Sequence, residues 1–225
     1  MRPPLTNELP TGESGALVLP SLCTDMPAAL SKWRNPEVQL CWMARPPVRA
    51  IEGYLDEAVR EGVLGRGWHC EWSPSQPLDL DFLPLLRGRS ALVRDMEQLA
   101  ALLRQVAGVR LARIRFDVVS GVQCPRFHVD NVKARLLCTY QGDGTQWIEE
   151  ADVDRSKLGA GGGSLCDEAS GLILRPGAVR TLPTFAVALL KGRLWPANQE
   201  RGAIHRSPPV ARYATPRVMV AIDAL

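Results

Sequence analysis

The sequence predicts an α+β chain in which helices come first and a sandwich or barrel of short strands follows. Before residue 108, apolar residues recur at three- and four-residue spacing, which is typical of amphipathic helices. After Gly108 they alternate with polar residues, as in half-buried strands. Turn residues divide this second half into many short segments, a pattern that favours a sandwich or barrel.

Two helices are predicted in the first half. The first starts near Pro47 and is closed by Gly62 and Gly65, and its apolar face is formed by Ile51, Leu55, Ala58 and Val59. The second opens at Ser90 and stops at Gly108, a C-terminal position that glycine favours. Its apolar face is formed by Leu92, Met96, Leu99, Leu103 and Val106. We expect both helices to pack against the core of the strand region.

The domain organisation follows from the same change of pattern. Residues 1–45 are rich in proline and glycine, so we predict an irregular N-terminal arm that packs through Trp33 and Trp42. Residues 46–225 are predicted to form a single domain, with a helical part at 46–108 and a strand part at 109–225. With 225 residues and 46% hydrophobic composition, the chain can bury one substantial core.

Alternation marks the first strand, where Ile114, Phe116 and Val118 are separated by charged residues. Later strand segments are predicted at Phe127–Val132, Ala134–Tyr140, Gly171–Leu174, Ala178–Leu182, Phe185–Lys191, Ala203–Ser207 and Arg217–Asp223. The segment between residues 65 and 86 is predicted to be turn-rich. The polar, glycine-rich stretch at 149–170 is predicted to be either a lid or disordered. It is not a phosphate-binding loop, because no Gly-Lys-Ser/Thr follows its glycines.

Composition excludes several classes of protein. The formal net charge of +3 arises from 27 basic and 24 acidic residues that are spread along the chain, so no nucleic-acid partner is indicated. Because no apolar run approaches the roughly 18 residues of a membrane span, and the start lacks a signal-peptide core, a cytoplasmic protein is expected. Six cysteines without a Cys-x-x-Cys pair argue against a zinc finger or disulfide framework. Cys124 is expected to be a small buried apolar residue, with a redox-sensitive thiol or a zinc-binding thiolate as the alternatives.

Three residues suggest a metal site. On a strand, His128 and Asp130 point to the same side and could bind one ion, with His205 approaching from a distant strand of the barrel. Two histidines and one carboxylate on one face of a metal leave other positions open, an arrangement that suits non-haem Fe(II). Arg217, at the start of the last strand, could then form a bidentate hydrogen-bonded ion pair with the far carboxylate of a metal-bound keto acid. Solvation, or an ion pair with Asp223, is the alternative for Arg217.

The arrangement His128-Val129-Asp130, then His205, then residues 213–220 (Tyr-Ala-Thr-Pro-Arg-Val-Met-Val) resembles the 2-oxoglutarate/Fe(II)-dependent oxygenases, in particular the prolyl-hydroxylase-like group. The resemblance covers about residues 110–225. Residues 135–145 (Arg-Leu-Leu-Cys-Thr-Tyr-Gln-Gly-Asp-Gly-Thr) and 203–209 (Ala-Ile-His-Arg-Ser-Pro-Pro) resemble more closely the bacterial domain-of-unknown-function family 1826, which implies the fold and no substrate.

The oxygenase resemblance implies a C-terminal double-stranded β-helix of the jelly-roll or cupin kind, with the N-terminal helices packed on it. It implies that His128, Asp130 and His205 bind Fe(II) and that Arg217 binds 2-oxoglutarate, with Arg212 as a competing anchor. Tyr140 is a second candidate to bond the same carboxylate. The reaction implied is hydroxylation of a substrate, with conversion of 2-oxoglutarate to succinate.

Two alternatives stay open at this point. The same three ligands could hold Zn(II) or another divalent ion in a hydrolase or metal-handling protein. A metal-free interaction domain could also retain the fold, since a fold does not fix an activity. His69 is expected to have a structural or surface role. The sequence leaves the substrate and the oligomeric state open.

Overall fold

A computed structural model of the chain describes residues 16–19, 33, 35–73, 75–121, 123–198, 201–209 and 215–225. Within these ranges, helix α1 spans Arg49–Arg60 and helix α2 spans Arg89–Ala107. The described strands, in chain order, are β1 (Ala16–Leu19), β2 (Leu40–Met43), β3 (Gly67–Trp72), β4 (Ala112–Val119), β5 (Ala134–Gln141), β6 (Gln146–Ile148), β7 (Arg180–Thr181), β8 (Val187–Lys191), β9 (Ile204–Arg206) and β10 (Arg217–Ala224).

The strands form two sheets. The large sheet has the order β1-β2-β8-β5-β10-β4-β3, and the small sheet has the order β7-β6-β9. Among these strands all pairings are antiparallel except that of β1 with β2. The predicted α+β class, with most strands in the second half, is confirmed.

Alternation along β5 and β10 gives the large sheet two different faces. Leu136 and Cys138 of β5 and Val220 of β10 pack with the apolar sides of α1 and α2 in the main core. The intervening residues point the other way, and Leu137 and Met219 belong to a second core with Trp147 of the small sheet. The chain is therefore layered as helices, large sheet and small sheet, with one apolar core at each junction.

Both predicted helices are present. All the residues named for the two apolar faces are buried except Val59, which is partly buried against the main core. The backbone N–H of Gly108 caps α2 by donating to Arg104 O, and its φ of 61° is the left-handed conformation that glycine adopts without strain. Among the described residues, no helix combines the length and apolar character that crossing a membrane requires.

Two regions predicted to be irregular contain strands. Residues 1–45 include β1 and β2, and the turn-rich stretch includes β3. Leu40, Cys41 and Met43 of β2 are all buried. A strand of four residues that is buried on both faces shows no alternation, so there is no period to detect. Trp33 is fully buried against Trp195, as the predicted packing through aromatics requires.

Several predicted strands are shorter than expected. Within Phe127–Val132 only His128 forms a bridge, and within Gly171–Leu174 only Ile173 does. The segment Ala178–Leu182 reduces to β7, and β6 was not predicted. These stretches form backbone hydrogen bonds with loops and short strands that are far away in sequence, and local patterns cannot reveal such partners.

The structure contradicts the disordered alternative for residues 149–170, whereas the lid alternative stays a prediction, and the burial expected for Cys124 is wrong. The stretch 149–170 is built from three 3₁₀ turns at Glu150–Asp152, Arg155–Lys157 and Gly159–Gly162, and it is packed against the rest of the chain. Cys124 is exposed rather than buried, because it lies in an irregular segment at the mouth of a cleft.

Candidate metal centre

His128, Asp130 and His205 come together at one end of the space between the two sheets. One ligand atom from each residue lies within 4.8 Å of the others. His205 Nε2 lies 3.2 Å from Asp130 Oδ2, and His128 Nε2 lies 3.6 Å from Asp130 Oδ1. The structure thus gathers the three residues that the sequence singled out, although Asp130 lies in an irregular segment and not on a strand.

The two histidines are held as a backbone pair. The N–H of His128 donates to the carbonyl of His205 at 3.0 Å, and the N–H of His205 donates to the carbonyl of His128 at 3.1 Å. Such a doubly bonded pair places both side chains on the same face of the local sheet. The ring centroids are accordingly 4.6 Å apart.

The hydrogen bonds of the rings indicate which nitrogen carries the hydrogen. His128 Nδ1 lies 2.9 Å from Arg126 O, and His205 Nδ1 lies 3.0 Å from Ala203 O. A carbonyl oxygen can only accept, so each Nδ1 must donate, and in a neutral ring Nε2 then carries a lone pair. Both Nε2 atoms are the ones that approach Asp130.

Lone pairs facing a carboxylate repel unless a positive charge lies between them. Asp130 Oδ2 is buried and has no hydrogen-bond partner among the described residues. Either a proton on each Nε2 or a cation bound by all three residues would remove the repulsion between the ring lone pairs and the carboxylate. The residues therefore fit a divalent metal, for which two imidazole nitrogens and one carboxylate oxygen are suitable ligands.

Asp130 is kept ionised by its surroundings. Burial raises its pKa. The hydrogen bonds that His128 and His205 donate when each Nε2 carries a proton, together with the charge of Arg135, outweigh burial and hold the pKa well below its usual range. Arg135 Nη1 lies 2.7 Å from Asp130 Oδ1. Burial lowers the pKa of His128, and the contact with Asp130 more than compensates and raises it.

Arg135 is itself fixed by a second carboxylate. Its Nε and Nη2 atoms donate to the two oxygens of Asp223 at 2.5 and 2.8 Å. Sequence patterns did not lead to Arg135, and they suggested Asp223 only as a partner of Arg217. The available signal was a charged residue at an otherwise apolar position of each strand, since buried charges in strands are rare unless they are paired.

Arg217 lines the same cleft as the histidines. Its Nε donates to the carbonyl of Asp143 at 2.8 Å, and its Nη2 donates to the hydroxyls of Thr139 and Thr145 at 3.2 and 2.9 Å. Burial lowers the pKa of Arg217 to about 10, which leaves the guanidinium charged at neutral pH. It forms no ion pair with any carboxylate in the described part of the chain, so it has a charge available for an anion.

Arg212 and Tyr140 were also predicted to bind the carboxylate of 2-oxoglutarate. Arg212 lies outside the described residues. Tyr140 is on the wrong face of the large sheet, because adjacent residues of β5 point to opposite sides. Its hydroxyl donates to Asp95 Oδ2 at 2.7 Å in the helix-covered core, whereas Thr139 faces Arg217. The prediction that Tyr140 contacts a co-substrate is therefore wrong.

Comparison with protein families gives a match over residues 24–223 to the family described as Protein of unknown function (DUF1826). The chain belongs to the DUF1826 family. The predicted resemblance to this family is confirmed, and the His128, Asp130 and His205 cluster lies within the matched region. A search of curated proteins finds no match for this DUF1826 chain.

Solved structures similar to this DUF1826 protein include a Pseudomonas putida prolyl-4-hydroxylase (9% identity, TM-score 0.46, covering 88% of this chain and 97% of that one). Another is a full-length Neurospora crassa protein in complex with alpha-KG and thymine (11% identity, TM-score 0.47, covering 94% and 85%). Such low identities carry no information about the activity of this chain.

Proposed function

We propose that this protein is a non-haem Fe(II), 2-oxoglutarate-dependent oxygenase that hydroxylates a substrate still to be identified. The observation that carries the proposal is the convergence of both Nε2 atoms on the Asp130 carboxylate. His205 Nε2 faces the buried Oδ2, which has no hydrogen-bond partner among the described residues, and His128 Nε2 faces Oδ1. Three ligands from one side leave the remaining positions of an octahedral ion open for a chelating co-substrate and dioxygen.

The rest of the cleft supports a co-substrate with a negative charge. Arg217 would bind the far carboxylate of 2-oxoglutarate, since its present partners are a carbonyl and two hydroxyls rather than an acid. Thr139 and Thr145 would hold the guanidinium in place. When bound, Fe(II) with 2-oxoglutarate would supply hydroxylation of a C–H bond by dioxygen, in which one oxygen atom enters the substrate, the other enters succinate, and 2-oxoglutarate loses CO2.

The fold proposed for this function is a double-stranded β-helix. Two facing sheets with a site at one end of the space between them support this, and the helices on the outer face of the large sheet would brace it. Arg135 would keep the Asp130 carboxylate in a fixed orientation, because it is itself held by Asp223.

Arg217 separates this proposal from a zinc hydrolase with the same ligands, because a hydrolase has no need of a keto-acid anchor. Calorimetric titration with 2-oxoglutarate, using Mn(II) as a redox-inert substitute for Fe(II), tests the difference. We expect 2-oxoglutarate to bind only in the presence of the metal. Metal binding without any binding of 2-oxoglutarate would contradict the proposal and favour the zinc protein.

A further inference from the structure

The glycine-rich segment, defined here as residues 159–168, packs behind the two histidines. The N–H of Gly159 donates to Phe127 O at 3.3 Å, and Arg126 Nη1 donates to Gly163 O at 2.6 Å. At its far end, Glu168 accepts a hydrogen bond from Arg206 Nη2 at 2.7 Å. The segment therefore contacts the residues that immediately precede His128 and follow His205.

Asp167 is the centre of these contacts, and its side chain is fully buried. Its Oδ2 accepts hydrogen bonds from the N–H of Phe127 at 2.7 Å and from Arg206 Nη1 at 3.2 Å. Its Oδ1 lies 3.5 Å from Arg126 Nε, within the range of an ion pair. One carboxylate thus joins the chain on the His128 side to the chain on the His205 side.

The contacts of Asp167 reach the rings through one further step on each side. Arg126 pairs with Asp167 through its side chain, and its backbone carbonyl accepts the hydrogen bond from Nδ1 of His128. Arg206 follows His205 directly, and its guanidinium also stacks over the ring of Phe127, 4.4 Å from the centroid. The backbone pair fixes the register of the two histidines, and these side chains fix the orientation of the segments that carry them.

The glycines permit this close packing. A Cβ added to Gly162 would lie 2.2 Å from Arg126 Nη2, which is far inside van der Waals contact. An alanine at that position would push the Arg126 side chain away from its present site. No sequence pattern signals this role, because neither an isolated Asp nor a glycine run predicts contacts 40 residues away.

We propose that Asp167 is a positioning residue that sets the separation and orientation of the His128 and His205 rings, and through them the metal affinity. The inference rests on the proposed metal site. Residues that orient metal ligands typically change metal affinity about 10–100-fold when they are mutated. The charge of Asp167 is essential to this role, because it holds two arginines from opposite sides.

The test compares D167N with D152N. Asp152 is a buried carboxylate in the same stretch, and it pairs with Arg175, but it contacts neither histidine segment. Asparagine keeps an oxygen for the N–H of Phe127 and removes the charge. Co(II) is the probe, because its visible spectrum reports ligand geometry and its affinity can be measured by calorimetry without turnover.

We expect D167N to bind Co(II) about 10–100-fold more weakly than the wild type and to show a changed Co(II) spectrum. The control D152N is expected to lose thermal stability while its Co(II) affinity and spectrum stay those of the wild type. Equal affinity and spectrum in D167N and wild type would overturn the inference, as would the same loss of affinity in D152N.

A second pair of variants covers the case in which D167N does not fold. G162A displaces Arg126 and leaves Asp167 intact, whereas G121A adds a methyl group where no atom lies within 4 Å. We expect weaker Co(II) binding in G162A only, and unchanged binding in both would overturn the inference. Failure of the wild type itself to bind Co(II) would instead overturn the proposed function, and the inference with it.

Discussion

Two polar clusters on opposite faces of the large sheet differ in how completely their groups are paired. On the helix-covered face, Asp95 is satisfied within the chain: Arg45 pairs with it through two nitrogens at 2.5 and 2.8 Å, and Tyr140 donates to it at 2.7 Å. On the face toward the small sheet, Asp130 keeps a buried oxygen that has no hydrogen-bond partner among the described residues, and Arg217 meets only neutral acceptors there.

This difference separates stability from function. A buried polar group that is fully paired inside the chain stabilises one arrangement of the core, whereas buried groups left without a partner carry a free-energy cost that a ligand can remove. We therefore expect substitutions on the helix-covered face to change stability alone. Substitutions on the other face should change ligand binding more than stability.

The largest effect is expected for His205→Ala. Removal of one of three ligands should reduce Co(II) or Fe(II) affinity by roughly 1,000-fold or more, while the thermal unfolding temperature of the metal-free protein changes little. Calorimetry and thermal melts measure the two quantities. His69→Ala is the matched control, because this histidine is exposed on β3 and should affect neither. Undiminished affinity in His205→Ala would show that the three residues do not form the site.

Asp95→Ala should give the largest loss of stability. It leaves Arg45 buried without its carboxylate, a change that typically costs about 3–5 kcal/mol in the free energy of unfolding. Urea denaturation measures this loss. Metal affinity should be that of the wild type, and a parallel loss of metal affinity would mean that the two faces are not independent.

Arg217→Ala should weaken 2-oxoglutarate binding by about 10–100-fold, corresponding to a charge-assisted hydrogen-bonded contact of about 1.5–3 kcal/mol. Metal affinity should be retained, as measured by the same titrations. Arg113→Ala is the control, because Arg113 is half exposed on β4 beside Glu71. If Arg212→Ala shows the loss and Arg217→Ala does not, Arg212 is the anchor.

The smallest and most local test uses neighbours on β5. Tyr140→Phe should lower the free energy of unfolding by about 1 kcal/mol, the value of one hydrogen bond, without changing 2-oxoglutarate affinity. Thr139→Val removes a hydroxyl that holds Arg217, so it should weaken 2-oxoglutarate binding by a few-fold, on the order of 1 kcal/mol. Reversal of the two results would mean that the faces of β5 have been assigned the wrong way round.

Residue patterns predicted the parts of the fold that repeat locally. The helices were found because their apolar faces recur regularly, and β4 and β10 were found because they are long enough to show strand character. The stretch around His128 and Asp130 was predicted as a strand and is not one. Only His128 pairs with a strand, through its bridge to His205, and two residues later the chain bonds to a turn, where the N–H of Arg193 donates to Asp130 O at 3.0 Å.

The candidate site was predictable where its residues are chemically distinctive, and not where they act through packing. Histidine is rare in this chain, which has three, so a His-x-Asp pair and one distant histidine stand out as a possible ligand set. Tyr140 was misplaced because local pattern reveals that neighbours on β5 alternate but not which face meets the small sheet. Asp167 could not be found at all, because its importance arises only from two arginines that the fold brings to it.

An anaerobic titration of the metal-free protein with Fe(II) and then 2-oxoglutarate tests the central claim most directly. We predict a weak visible charge-transfer band that appears only when both are present and is absent in His128→Ala. Fe(II) binding without such a band would contradict the oxygenase proposal and favour a metalloprotein of another kind. No metal binding at all would contradict the site itself.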